Sequence, residues 1–372
     1  LGKFDEAFKY AKKLEKRKLN SYESDLILGV YYLKKNQHKL AQRYFSKIKN
    51  KNSGFALNSF ISNFLLNWSS LDSLDLINAQ TRINSVNTKF KNLKNIENVF
   101  LHCFYKSEKT DLKFKKLVSN PKIDLSRYNY FYANYLMNSG EVEKAKQLTN
   151  TSLSLFPRNL LLNQYKFELK NELNRNNFNC QNQLHVIAEI FYVAASALSA
   201  QSIYTFSNFY INLAKYLNSD FYLFNTLIAE NFYKTNNFTQ AKKIYKEMEK
   251  QSPVYMWFAA KQHVKILIKE GKKERALKIL TNRYERLKEK NIYEIYEYAD
   301  FLKSNNQLEN SIRYYTEVIE KIGKNHILYP EVLEGRGVVY ERTGNWDKAE
   351  KDLLASLEAS PDQAYVINYL AY

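Results

Sequence analysis

Residues 336–361 read RGVVYERTGNWDKAEKDLLASLEASP and form the most regular part of the chain. Two small residues, Gly337 and Ala349, stand twelve positions apart, with Gly344 between them and Pro361 at the end. Glycine tolerates a positive φ and proline ends a helix, so the stretch predicts two helices joined by a turn at Gly344. Helices approach closely only where their facing residues are small, which gives Gly337 and Ala349 a structural role.

The same pair of small residues recurs along the chain, which predicts a repeated helix hairpin. Second-helix positions are Ala7, Ala41, Ala145, Ser207, Ala241, Ala276, Ser311 and Ala349, and the first-helix positions twelve residues earlier include Gly29, Ala133, Ala195, Ala229, Val264, Ala299 and Gly337. From Ser207 onward the spacings are 34, 35, 35 and 38 residues. Turns are expected at Gly140, Asn236, Gly271 and Gly344, and unit ends at Pro157, Pro253 and Pro361. One hairpin buries a single face, so neighbours must stack to close the core.

A unit of about 34 residues with two small residues and a closing proline resembles the tetratricopeptide repeat. Residues 330–363 match it best, with Trp346 expected to pack against the turn. Weaker copies are 222–256, 126–159, 188–221, 257–291, 292–329 and 22–55. The order of units is similar to that of long bacterial tetratricopeptide proteins. The resemblance implies an all-α fold, a right-handed superhelical solenoid of antiparallel helix hairpins.

The regularity of the repeat suggests a domain organisation. We expect an N-terminal subarray at 1–159, irregular at 56–125 because Asp75 takes the small position, and a C-terminal subarray at 188–372. The stretch 160–187 holds one helix and a polar loop, and is the expected joint. Both ends fall inside a repeat, so the sequence leaves a cytoplasmic and a periplasmic location open.

Few residues suggest a catalytic or metal-binding site. The histidines lack metal-ligand spacing, no phosphate-binding glycine loop occurs, and Glu331, Glu334 and Glu341 read as a solvated acidic stripe. We therefore expect no enzyme activity, catalytic residue, cofactor or metal. Cys103 and Cys180 are too few for a disulfide framework and are expected to be buried small side chains. The apolar run 184–200 carries a glutamate and is expected to be a buried helix instead of a membrane span.

The resemblance assigns the concave face of the array to the first helix of each hairpin. The predicted partner-binding groove consists of Glu230, Tyr233, Lys261, Lys265, Lys269, Tyr293, Tyr296, Asp300, Lys303, Glu334 and Glu341, with Tyr130, Asn134 and Tyr192 at equivalent places in earlier units. A lysine stripe beside tyrosines suits an extended or helical protein segment with acidic groups. The expected function is a non-enzymatic protein–protein interaction scaffold.

Two other functions are compatible with the composition. The formal net charge of +18 makes an RNA-binding helical-repeat protein the main alternative, although its residues at the face positions vary without a base-reading code. The charge is also uneven, because 222–291 carries +9 and 292–372 carries −6. A third possibility is an architectural part of a cell-envelope assembly. We expect protein partners and regard nucleic acid as the weaker candidate.

Overall fold

The computed structural model describes residues 3–50, 56–85, 91–119, 125–173 and 177–370. Within these ranges every regular element is a helix, as expected of an all-α repeat protein. The chain divides into two compact units, Leu1–Ala241 (unit 1) and Lys242–Tyr372 (unit 2). The expected joint at 160–187 therefore lies inside unit 1.

The helices of unit 1 follow one another with short connections. They are α1 (Phe4–Lys16), α2 (Tyr22–Lys34), α3 (His38–Asn50), α4 (Ala56–Trp68), α5 (Leu76–Ser85), α6 (Lys91–Phe104), α7 (Thr110–Val118), α8 (Ser126–Asn138), α9 (Val142–Leu155), α10 (Leu160–Lys170), α11 (Gln183–Ala200), α12 (Tyr204–Leu217) and α13 (Phe224–Lys234), with a 3₁₀ turn at Leu71–Ser73. Helix α14 (Phe238–Met248) contains the boundary between the units.

Unit 2 contains three further hairpins and one short helix. They are α15 (Pro253–Lys269) with α16 (Lys273–Glu285), α17 (Ile292–Ser304) with α18 (Leu308–Lys321), α19 (Tyr329–Arg342) with α20 (Trp346–Ala359), and α21 (Ala364–Leu370). Pro253 begins α15, and Pro157 and Pro361 lie just beyond the ends of α9 and α20. The three prolines therefore mark the boundaries between successive hairpins, as predicted.

The two sets of small residues meet inside the hairpins. Ser207 donates a hydrogen bond from Oγ to the carbonyl oxygen of Ala195, twelve residues earlier, at 2.7 Å. A Cβ on Gly337 would lie 3.4 Å from the carbonyl oxygen of Ala349, and both residues are buried. The small residues thus set the distance between first and second helix, which confirms the hairpin prediction.

The turns share one conformation. Positive φ occurs at Asn36, Gly140, Ser202, Asn236, Gly271, Asn306 and Gly344, each of them seven residues after a first-helix small residue. This confirms the four predicted turn residues and adds Asn36, Ser202 and Asn306. The amide of the next residue then bonds back into the first helix, for example from Asn345 to the carbonyl of Tyr340 at 2.8 Å. The bond satisfies a carbonyl at the end of the helix.

The irregular region at 56–125 also contains hairpins, but in a shifted register. Asp75 does not occupy the small position, because its carboxylate accepts the amide of Asn78 at 2.7 Å at the start of α5. Ala79 is the buried small residue instead, and its carbonyl oxygen accepts a bond from Asn67, twelve residues earlier on α4. The second half of this region turns at Lys106, from α6 into α7.

The polar loop before α11 is anchored in the core of unit 1. Phe178 is 2% exposed, and the centre of its ring lies 4.2 Å from that of Phe131 and 5.5 Å from that of Phe100. Helix α11 then packs against α4, and α12 packs against α2. Two buried side chains in the loop, Phe178 and Cys180, therefore attach it to earlier hairpins.

The cysteine prediction was wrong in its main point. Cys103 of α6 and Cys180 are buried as expected, but they form a disulfide bond across a Cα–Cα distance of 5.8 Å. Two cysteines separated by 77 residues give no sequence signal of pairing. The bond exists because the loop after α10 returns to α6.

The prediction for Trp346 was also wrong. Its side chain is 65% exposed at the start of α20, so it does not pack the turn. The last hairpin is instead held by Arg336, whose guanidinium donates to both carboxylate oxygens of Asp352 at 2.7 and 2.9 Å. Arg336 also donates to Thr316 of α18 at 3.0 Å, which links this hairpin to the preceding one.

Among the described residues, α11 is the one helix whose length and composition would allow it to cross a membrane. Eight of its residues are buried inside the protein, including Glu189. The carboxylate of Glu189 pairs with Arg127 of α8. The buried residues of α11 thus pack inside unit 1.

A candidate partner-binding face

The predicted groove residues fall on both units. Glu230 and Tyr233 lie on α13 in unit 1, and the other nine lie on α15, α17 and α19 in unit 2. Because α15, α17 and α19 are the first helices of their hairpins, we call their partly or fully exposed residues the first-helix face of unit 2.

An ion pair joins α15 to α17 on this face. Lys261 donates to Oε2 of Glu297 at 2.5 Å, and the indole nitrogen of Trp257 donates to the same oxygen at 2.7 Å. Lys261 is therefore neutralised within the protein. Lys265 and Lys269 follow at intervals of one helical turn, and both are exposed. Two of the three lysines of the stripe are therefore exposed at the surface.

A second polar cluster lies between α17 and α19. Lys303 forms an ion pair with Asp300 at 2.6 Å, and the hydroxyl of the buried Tyr315 donates to Asp300 at 3.2 Å. Burial raises the pKa of the Glu334 carboxyl; Lys303 opposes this shift, and the carboxylates of Glu331 and Asp300 add to it. Helices α17 and α19 also pack directly against each other.

Helix α19 passes close over Tyr315 because Gly335 has no side chain. A Cβ at Gly335 would lie 2.7 Å from Cζ of the Tyr315 ring. On the other side of α19, Glu341 accepts a hydrogen bond from the hydroxyl of Tyr369 on α21 at 3.0 Å. Glu341, expected from the sequence to be free for recognition, is therefore engaged within the protein.

The two predicted tyrosines of α17 are partly exposed. The ring centre of Tyr293 lies 6.2 Å from that of His326, and the ring centre of Tyr296 lies 6.1 Å from that of Tyr315. In unit 1, Glu230 is exposed, and Tyr233 lies 5.9 Å from Phe238 across the turn. These side chains can still contribute surface to a partner.

The earlier positions in unit 1 do not form an open surface. Tyr130 and Asn134 are buried, with 1% and 5% of their surfaces exposed. Tyr192 packs against the guanidinium of Arg127, which lies 3.8 Å from its ring centre. Arg127 also donates to both carboxylate oxygens of Glu189 at 2.7 and 2.6 Å. Burial raises the pKa of Glu189, and Arg127 opposes that shift.

Sequence reasoning missed three residues that organise the face in unit 2. Glu297 neutralises Lys261, Tyr315 contacts Asp300, and Gly335 admits the Tyr315 ring. The spacing of four residues between Lys261 and Lys265 gave no sign of these partners, because they lie on other helices. Within the described ranges, no group of three or more histidine, cysteine or acidic side chains could hold a metal ion.

Comparison with known proteins gives the following matches. No protein-family model and no curated protein matches the chain. Among solved structures, yeast Tom70 is 13% identical with a TM-score of 0.40, covering 99% of this chain and 91% of its own. PilF of Pseudomonas aeruginosa is 13% identical with a TM-score of 0.38, covering 66% and 96%. YrrB, a TPR protein with an unusual peptide-binding site, is 16% identical with a TM-score of 0.35, covering 50% and 92%.

The hairpins of the chain itself establish its architecture. In the hairpins that carry the two small residues, the small residue of the second helix follows that of the first helix by twelve positions. A turn residue with positive φ follows the first of the two by seven positions. Within each unit, helices that follow one another in the sequence pack together, for example α11 with α12 and α19 with α20. The described residues thus have an all-α helical-repeat fold, built from hairpins of the tetratricopeptide type.

Proposed function

We propose that the chain is a protein-interaction scaffold whose first-helix face in unit 2 binds a segment of a partner protein. The observation that carries the proposal is that first helices meet on this face: Lys261 of α15 forms an ion pair with Glu297 of α17, and α17 packs against α19. A continuous face of this kind supports an extended or helical segment, which contacts successive helices in turn.

The exposed charges on the face suggest the chemistry of the partner. Lys265 and Lys269 project from α15 as exposed cations, and acidic side chains of a partner would complement them. Tyr293 and Tyr296 add aromatic surface at a low cost in conformational entropy. Surface lysines of this type steer association more than they increase affinity, so we expect the complex to weaken with salt.

A peptide-display selection on the full chain tests the proposal. Wild-type protein is expected to enrich peptides rich in Asp and Glu from a random library. Lys265→Glu with Lys269→Glu is expected to reduce binding of the enriched peptides at least tenfold, because both exposed cations become anions. Arg275→Glu with Lys278→Glu makes the same charge change on exposed positions of α16, the second helix, and is the matched control.

Three results would count against the proposal. Equal loss of binding in both double variants would mean that net charge, and not the face, attracts the peptides. Failure to enrich any acidic peptide would remove the assigned partner chemistry. Tight and salt-sensitive binding of RNA that neither double variant disturbs would favour the RNA-binding alternative instead.

A further inference from the structure

An apolar cavity of about 530 Å³ lies in unit 1, between α1, α2 and α12. Its walls include Phe4 and Ala7 of α1, Ile27 of α2, and Phe209, Leu213 and Tyr216 of α12. Pockets that hold small organic molecules have volumes of roughly 300–1,000 Å³ and are mainly apolar with a few polar groups. The cavity has the size and composition of such a pocket.

Two half-buried lysines line the cavity, and neutral oxygens accept their hydrogen bonds. Lys34 of α2 donates to the carbonyl oxygen of Tyr216, and its ammonium lies 4.3 Å from the centre of the Tyr216 ring. Lys215 donates to the side-chain oxygen of Asn225 at 2.7 Å. In the described part of the chain, neither ammonium forms an ion pair with a carboxylate.

The electrostatic surroundings of these lysines favour an anion. Burial lowers the pKa of Lys34 and of Lys215, because the partly desolvated cations lack a compensating negative charge. The carboxylate of Asp220, just beyond the end of α12, raises the pKa of Lys34 and so offsets this lowering only in part. A third lysine on the wall, Lys3, is exposed and already pairs with Glu6 at 2.9 Å. An anionic group inside the cavity would supply the charge that Lys34 and Lys215 lack.

We propose that this cavity binds a small amphipathic carboxylate. Its aliphatic or aromatic body would fill the space between Phe4, Ile27 and Phe209, and its carboxylate would reach the ammoniums of Lys34 and Lys215. The apolar wall provides the area that binds the body, and the cations select the charge of the head group. The site lies wholly within unit 1, so it is independent of the first-helix face of unit 2.

Calorimetric titration of the full chain with three twelve-carbon ligands tests the charge requirement. Laurate and dodecylamine, below their critical micelle concentrations, and dodecanol, below its solubility limit, present the same tail with an anionic, cationic or neutral head. We expect laurate to bind at least tenfold more tightly than dodecanol, and dodecylamine to bind most weakly. Equal affinities, or no binding of laurate, would overturn the proposal.

Variants locate the binding in the cavity. Lys34→Gln with Lys215→Gln is expected to lower the affinity for laurate at least tenfold and to leave the affinity for dodecanol unchanged. Unchanged dodecanol binding also shows that the cavity is intact. Lys166→Gln removes an exposed lysine of α10 and should leave the affinities for laurate and dodecanol unchanged. Thr205→Trp places a large ring at the rim of the cavity and is expected to lower the affinity for both laurate and dodecanol. Undiminished laurate binding in either the lysine double variant or Thr205→Trp would overturn the assignment.

Discussion

Single small residues determine how closely the paired helices approach. A Cβ on Gly29 would lie 2.4 Å from the ring of Phe45, and one on Gly337 would lie 2.9 Å from the side chain of Leu353. Both neighbours are buried, so they have little room to move. The size of one side chain therefore controls the distance between two whole helices.

Enlarging Ala349 should disturb the last hairpin. Ala349 is 3% exposed and faces Gly337, so Ala349→Leu is expected to lower the free energy of unfolding by about 1–3 kcal/mol through overpacking. Urea denaturation measures the change. Ala359→Leu, at an exposed position near the end of the same helix, is the control and should be close to neutral. A neutral Ala349→Leu would contradict the pairing of the small residues.

Pairs of elements in unit 1 are joined by polar contacts as well as by apolar packing. The clearest case is the ion pair between α8 and α11, where the Arg127 side chain is 16% exposed and the Glu189 side chain 1%. Removing one member of such a pair leaves an uncompensated buried charge, whereas replacing both by apolar residues is often close to neutral.

The ion pair should show this asymmetry in a double-mutant cycle. Arg127→Met is expected to cost about 3–5 kcal/mol of unfolding free energy. Adding Glu189→Met should recover most of the loss, since the orphaned carboxylate is then absent. Urea unfolding of the two single variants and the double variant gives the coupling energy. Additive losses would show that Arg127 and Glu189 act independently.

Elements were predictable from the sequence where their signals are local. The small residues, the turn glycines and Pro253 each report the geometry of their own hairpin, so the hairpins and four of the turn residues could be predicted. The burial of Phe178 in a polar loop could not, because it depends on Phe131 and Phe100, which lie elsewhere in the chain. For the same reason the three lysines could be identified from the sequence, but the ion pair of Lys261 with Glu297 could not.

At the scale of the whole molecule, the disulfide belongs to one unit only. Cys103 and Cys180 both lie in unit 1, and closing a loop of 77 residues stabilises a fold by about 4.5 kcal/mol in the chain-entropy model. Disulfides persist in oxidising compartments and are rare in the cytosol. The sequence leaves a periplasmic and a cytoplasmic location open. The oxidised form corresponds to the first location and the reduced form to the second.

Reduction is expected to destabilise unit 1 and to leave unit 2 unchanged. Hydrogen exchange followed by mass spectrometry, with and without dithiothreitol, compares the amides of residues 3–241 with those of 242–370. Exchange should accelerate only in the first set. Cys103→Ala with Cys180→Ala should resemble the reduced protein under both conditions. Equal acceleration in the two sets, or none in unit 1, would contradict the assigned role of the bond.

The disulfide also makes part of the backbone a closed covalent ring. Helices α7 to α10 lie between the bonded cysteines, so a protease that cuts once within this segment opens the ring without releasing a fragment. The nicked protein would keep the mass of the intact chain plus one water, and would separate into two polypeptides only after reduction. A single cut outside the ring would leave two polypeptides that no covalent bond joins.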